Sequence, residues 1–152
     1  MNECKRYLPE NLIEKCSAYL NNWQHLLAGV DDPCIVHRDF RPGNMLIWQG
    51  KLQGIIDWSS ARSGFAEQDF CLIEHFKWAP GLKYKQAFFD GYSRIRPPPG
   101  YQLIMPLLQL ESALGVIGYT VKSKTWNSSN ENLYTFNRKF LDSFNFSANP
   151  IQ

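Results

Sequence analysis

Apolar residues recur at three- and four-residue steps through Leu12, Ile13, Cys16, Tyr19, Leu20, Trp23, Leu26 and Leu27. That spacing lines one face of an α-helix and predicts a helix over residues 10–28. Gly29 supplies a stop, and Asp31-Asp32-Pro33 a polar turn. The period then shortens. Cys34-Ile35-Val36 is a brief strand-like run that leads into a loop, His37 to Asn44, with Pro and Gly near its end. Two more apolar runs follow at residues 45–48 and 52–56. A turn at Gly50-Lys51, with Gly at its first central position, fits a type II′ hairpin. Beyond it the pattern is helical again, with candidate helices at residues 66–78, 82–95, 101–122 and 131–145. Arg96-Pro97-Pro98-Pro99-Gly100 reads as a stiff connector and residues 123–130 as a polar loop. The expected fold class is α+β, mostly α, with helices around a short β-hairpin in a single domain over residues 1–152.

Composition narrows the function classes. With 44% apolar and 14% aromatic residues the chain can bury a substantial core. A formal charge of +2 gives no electrostatic case for a nucleic-acid partner. No apolar run reaches the roughly 18 residues of a membrane span, and the N-terminus has no apolar stretch behind its charges, so neither a membrane protein nor a secretory signal is expected. Cys4, Cys16, Cys34 and Cys71 form no C-x-x-C pair and have no histidine at zinc-ligand spacing. They read as reduced thiols of a cytoplasmic protein.

The candidate chemistry lies in residues 35–69. His37-x-Asp39-x-x-x-x-Asn44 has the spacing of a kinase catalytic loop, in which the Asp meets the acceptor hydroxyl and the Asn holds a metal. By chance such a pattern arises in on the order of one chain in a hundred, so it decides little alone. The hairpin adds weight. With the turn at Gly50-Lys51, Asn44 faces Asp57 at the open end of the two strands. Directly opposed residues lie about 4.5–5.5 Å apart at Cα. Two oxygen-bearing side chains then emerge together, with Asp39 delivered nearby by the loop. Mg²⁺ takes hard oxygen ligands of this kind, usually one or two carboxylates plus phosphate oxygens and water. Asp39 suits proton acceptance, and Asn44 with Asp57 suits metal binding. Among the neighbours, His37 reads as a structural support of the loop. Asp69 reads as a tie for the segment after Asp57, and Arg41 as an exposed ion pair. Glu111 stands in an otherwise apolar helix, whose stripe Leu103, Leu107, Leu110, Leu114 and Ile117 reads as core.

Val36-His37-x-Asp39-x-x-Pro42-Gly43-Asn44, then Gly54-Ile55-Ile56-Asp57-Trp58, and Ala61-x-x-Gly64-x-x-x-x-Asp69 resemble the catalytic loop and metal-binding segment of the aminoglycoside phosphotransferase and choline kinase superfamily. The resemblance implies a kinase-like C-terminal lobe, with Asp39 as the catalytic aspartate and Asn44 and Asp57 as ligands of Mg²⁺ and hence of ATP. It implies a small-molecule hydroxyl acceptor. Two departures stand out. The family usually has Gly after the motif's His, where this chain has Arg38. The family's N-terminal lobe supplies a nucleotide-covering loop and a strand lysine. Here no G-x-G-x-x-G occurs, and the residues before His37 hold one predicted helix. The expectation is therefore a C-terminal lobe without its N-terminal lobe, an incomplete phosphotransferase exposing Trp23, Leu46, Trp48 and Trp58. Such a chain would pair with a complementary N-lobe polypeptide or with itself. The alternative reading is a non-catalytic, truncated remnant acting as a binding module.

Overall fold

The apolar stripe of the first helix is buried as its spacing requires. In the computed structural model, which describes residues 4, 7–30, 32–75 and 82–151, α1 spans Glu10–Trp23 and buries Leu12, Cys16 and Tyr19. The expected continuation to residue 28 tightens instead into a 3₁₀ segment, Gln24–Gly29. His25 Nδ1 lies 3.0 Å from the carbonyl oxygen of Asn22, so a side chain competes for a helix-end carbonyl.

The described chain divides into two units. One holds the residues up to Ala28 together with those from Pro106 onward, and the other runs from Gly29 to Met105. In the first unit, α1 packs with α4 (Met105–Lys122) and α5 (Glu131–Ser143). Leu107, Leu110, Leu114 and Ile117 of α4 are buried, as the stripe predicts. Leu103 is not: it is 37% exposed, because residues 101–103 form a separate 3₁₀ turn. Pro106 accounts for that break, since it has no N–H to bond back into a longer helix and is tolerated only in a first turn. Glu111 is exposed on the outer face of α4.

The second unit carries two small antiparallel sheets. β1 (Cys34–Val36) pairs with β4 (Arg62–Gly64), and β2 (Met45–Trp48) pairs with β3 (Lys51–Ile55). β4 was not visible as a strand in the sequence pattern; three residues with one glycine carry too little apolar alternation. α2 (Glu67–His75) and α3 (Leu82–Tyr92) complete the unit. Residues 76–78 of the expected helix, and Asp31 of the expected turn, lie outside the described residues. Phe70 anchors an aromatic cluster, with ring centroids 5.8, 5.5, 5.2 and 5.5 Å from those of Phe88, Phe89, Tyr92 and Tyr101.

The hairpin register differs from the expectation. Trp48 pairs with Lys51, so the turn residues are Gln49 and Gly50, at φ 47° and 72°. Positive φ at both positions is the type I′ pattern, whose twist matches that of the strands. Ile47 pairs with Leu52 and Leu46 with Gly54, leaving an irregularity between them at Gln53. Asn44 consequently faces Ile56, whose N–H donates to the Asn44 carbonyl at 2.9 Å, and Asp57 stands one residue further out. The shift combines two changes: Gly50 takes the second turn position rather than the first, and the extra residue at Gln53 then moves the outer pairs by one.

The four cysteines form no disulfide, and Cys4, Cys16 and Cys71 are buried. Burial, with a smaller contribution from the charge of Cys4, pushes the Cys16 thiol up to about 11.

Candidate functional site

The loop from His37 to Asn44 is fixed at both ends by groups the motif supplies. At its entry, the Asp69 carboxylate accepts the backbone N–H of His37 through Oδ2 and that of Arg38 through Oδ1, both at 2.8 Å. Asp69 therefore ties down the start of the loop, not the segment after Asp57. Burial raises its pKa, opposed by the hydrogen bond from the His37 backbone N–H. Arg38 pays for this geometry with φ 65°, the left-handed conformation that glycine adopts at little cost.

His37 is 2% exposed and works as a strut. Its Nδ1 accepts the Asp39 N–H at 3.2 Å, which leaves Nε2 to donate to the Ile56 carbonyl at 2.8 Å. The Trp58 ring packs on His37, with centroids 4.5 Å apart, and its Nε1–H donates to the Ile55 carbonyl at 2.7 Å. Residue 56 is thus held through its N–H by Asn44 and through its carbonyl by His37. Both contacts bind the mouth of the hairpin to the loop.

Asn44 and Asp39 meet directly. Asn44 is 5% exposed, and its Nδ2 donates to the Asp39 carbonyl and to Asp39 Oδ2, each at 2.8 Å. With its N–H groups so used, the side chain retains Oδ1 as an acceptor. Arg41 Nε donates to Asp39 Oδ1 at 3.0 Å and Oδ2 at 3.1 Å. Asp57 is exposed, sits at φ 62°, and accepts the Ser59 hydroxyl on Oδ1 at 2.8 Å. Its left-handed backbone breaks the strand alternation just beyond β3, where a 3₁₀ turn begins at Trp58. No group of three or more His, Cys, Asp or Glu side chains placed to hold a metal occurs among the described residues. The oxygen-bearing side chains of this region are the amide of Asn44, in contact with the Asp39 carboxylate, and the carboxylate of Asp57 beyond β3.

A second polar cluster carries no motif and was not legible in the sequence. Glu74 accepts the Tyr101 hydroxyl at 2.9 Å and forms an ion pair with Lys85, whose ammonium lies 5.8 Å from the Tyr101 ring centroid. The sequence separation of these residues gives no signal; only the packing of α2 and α3 with the 101–103 turn brings them together.

Residues 1–106 match the model of the phosphotransferase enzyme family, and the chain belongs to that family. Among solved structures it is similar to a thermostable mutant of aminoglycoside phosphotransferase APH(4)-Ia in a ternary complex with AMP-PNP and hygromycin B, with a TM-score of 0.61 and 16% identity. The likeness covers 92% of this chain and 45% of that one, so the mostly helical, kinase-like fold matches part of the longer protein. No curated protein matches. No helix among the described residues is long and apolar enough to cross a membrane.

Proposed function

We propose that this chain is the acceptor-side lobe of an ATP- and Mg²⁺-dependent phosphotransferase that moves phosphate to a hydroxyl of a small molecule, an aminoglycoside-like sugar or an amino alcohol. One observation carries the reading: the Asp39 carboxylate is held by the side-chain amide of Asn44, which keeps its own oxygen for a cation. A hydroxyl seated at Asp39 would be oriented by that carboxylate and pass its proton to it as phosphate arrives. Asn44 and Asp57 would hold Mg²⁺, which neutralises charge on the phosphates. The AMP-PNP and hygromycin B bound by the solved relative support a nucleotide donor and a sugar-like acceptor.

The chain spans 45% of that protein, and we read the nucleotide site as needing residues beyond the given sequence, whether from the same polypeptide or another. Transfer from ATP by this chain alone should be slow, since positioning supplies roughly 7–11 kcal/mol of such a barrier. Asp39→Ala should lower the residual rate by about 10²–10⁴-fold. The assay uses labelled ATP, Mg²⁺ and a panel of aminoglycosides and amino alcohols. Transfer that survives Asp39→Ala would overturn the site, whereas fast transfer that Asp39→Ala abolishes would overturn the reading that residues 1–152 need more chain to complete the nucleotide site.

One observation favours a second reading, a non-catalytic binding module. Leu46, Trp48 and Trp58 at the hairpin are 49%, 68% and 48% exposed, an apolar surface of the kind that partners cover.

A further inference from the structure

The segment Arg41-Pro42-Gly43-Asn44 is shaped around one guanidinium. A residue before proline is confined to extended backbone, and Arg41 sits there at φ −147° and ψ 159°. Its Nε–H reaches back across two residues to both oxygens of Asp39, at 3.0 and 3.1 Å. Its guanidinium then occupies the space a side chain at position 43 would need: a Cβ on Gly43 would stand 2.5 Å from Nη1 and 3.6 Å from Cζ. The 3₁₀ turn closes beneath it through Asn44 N–H to the Arg41 carbonyl at 2.9 Å.

This contact does little for the fold. The two side chains are 52% and 34% exposed, and an ion pair so open to solvent adds little to stability. What it does fix is the direction of a carboxylate. Asn44 reaches only Oδ2 of Asp39, whereas Arg41 spans both oxygens and so opposes rotation of the group.

We infer that Arg41, seated on Gly43, is a positioning residue that holds the Asp39 carboxylate in one orientation toward the acceptor hydroxyl. The inference rests on the reading of Asp39 as proton acceptor given above. Lysine would not replace it well, since an ammonium on a flexible stem brings the charge without the planar donor group.

The test uses the labelled full chain in solution, with NMR couplings that report the Asp39 χ1 rotamer and hydrogen exchange of the Arg41 Nε–H. In the unmodified chain Asp39 should show one rotamer and a protected Nε–H. Arg41→Ala should give a mixture of rotamers, and Arg41→Lys an intermediate one. Gly43→Ala is the sharper variant: it keeps the arginine but takes its seat, and only the end of a flexible side chain must move, so the fold should hold. It too should mix the rotamers and expose the Nε–H. A single Asp39 rotamer in both Arg41→Ala and Gly43→Ala would overturn the inference and leave Asn44 as sufficient. Transfer rates separate this from the broader reading. If Arg41→Ala mixes the rotamers and lowers kcat by up to about 100-fold with the acceptor KM little changed, both stand. Mixed rotamers with unchanged transfer would support the positioning of the carboxylate and overturn Asp39 as proton acceptor.

Discussion

Arg38 occupies a left-handed backbone, at φ 65°, where any side chain costs about 1–2 kcal/mol relative to glycine. Both carboxylate oxygens of Asp69 offset that cost, by capturing the His37 and Arg38 N–H groups. Arg38→Gly should therefore stabilise the second unit by about 1 kcal/mol without moving Asp39, which thermal or urea unfolding of the variant would register. A destabilised Arg38→Gly would mean that the arginine side chain makes up more than its backbone loses. The candidate site residues were legible at this scale because chemistry fixes their types. An aspartate two residues after a histidine, an asparagine five residues further and an aspartate beyond a glycine-isoleucine-isoleucine run could be picked out from spacing alone. The target of Asp69 could not, since a carboxylate 32 residues from His37 in sequence reveals its partner only after β1 and α2 are placed. Arg38 was visible as a departure from a glycine, and its positive φ is the physical content of that departure.

Among the elements, the hairpin shows how a two-residue turn decides a register. Type I′ geometry needs positive φ at both central positions, which Asn-Gly meets best. This chain uses Gln49-Gly50, so Gln49 adopts φ 47° with no side-chain preference for it. Gln49→Asn should stabilise the hairpin by a few tenths to about 1 kcal/mol, read as slower amide exchange along β2 and β3. Faster exchange would show that the turn is not of this type. Among the described residues, the sequence pattern located both strands of this hairpin and the five α-helices to within about a turn, because their apolar periodicities are long or flanked by clear breakers. It misplaced the turn by one position, since Gly50 fits either the first or the second central site and only pairing distinguishes them. It also ran α4 back to residue 101, although Pro106 marks a first turn.

At the scale of the molecule, the apolar side chains that the hairpin leaves in solvent set its behaviour. Leu46, Ile47, Trp48, Leu52 and Trp58 are each between 48% and 68% exposed. Trp23, expected among them, instead packs partly buried against the core of the first unit. Analytical ultracentrifugation with a hydrophobic-dye titration should find dye binding, self-association, or both; a dye-free monomer would show that this surface needs no cover. The central claim is narrower, that the loop and the hairpin mouth form one metal–nucleotide site. Its most direct measurement is paramagnetic broadening of the amide spectrum by Mn²⁺ in the presence of ATP. Broadening should centre on Asp39, Asn44 and Asp57 and vanish in the Asn44→Ala, Asp57→Ala double variant. Broadening centred elsewhere, or unchanged in that variant, would contradict the account.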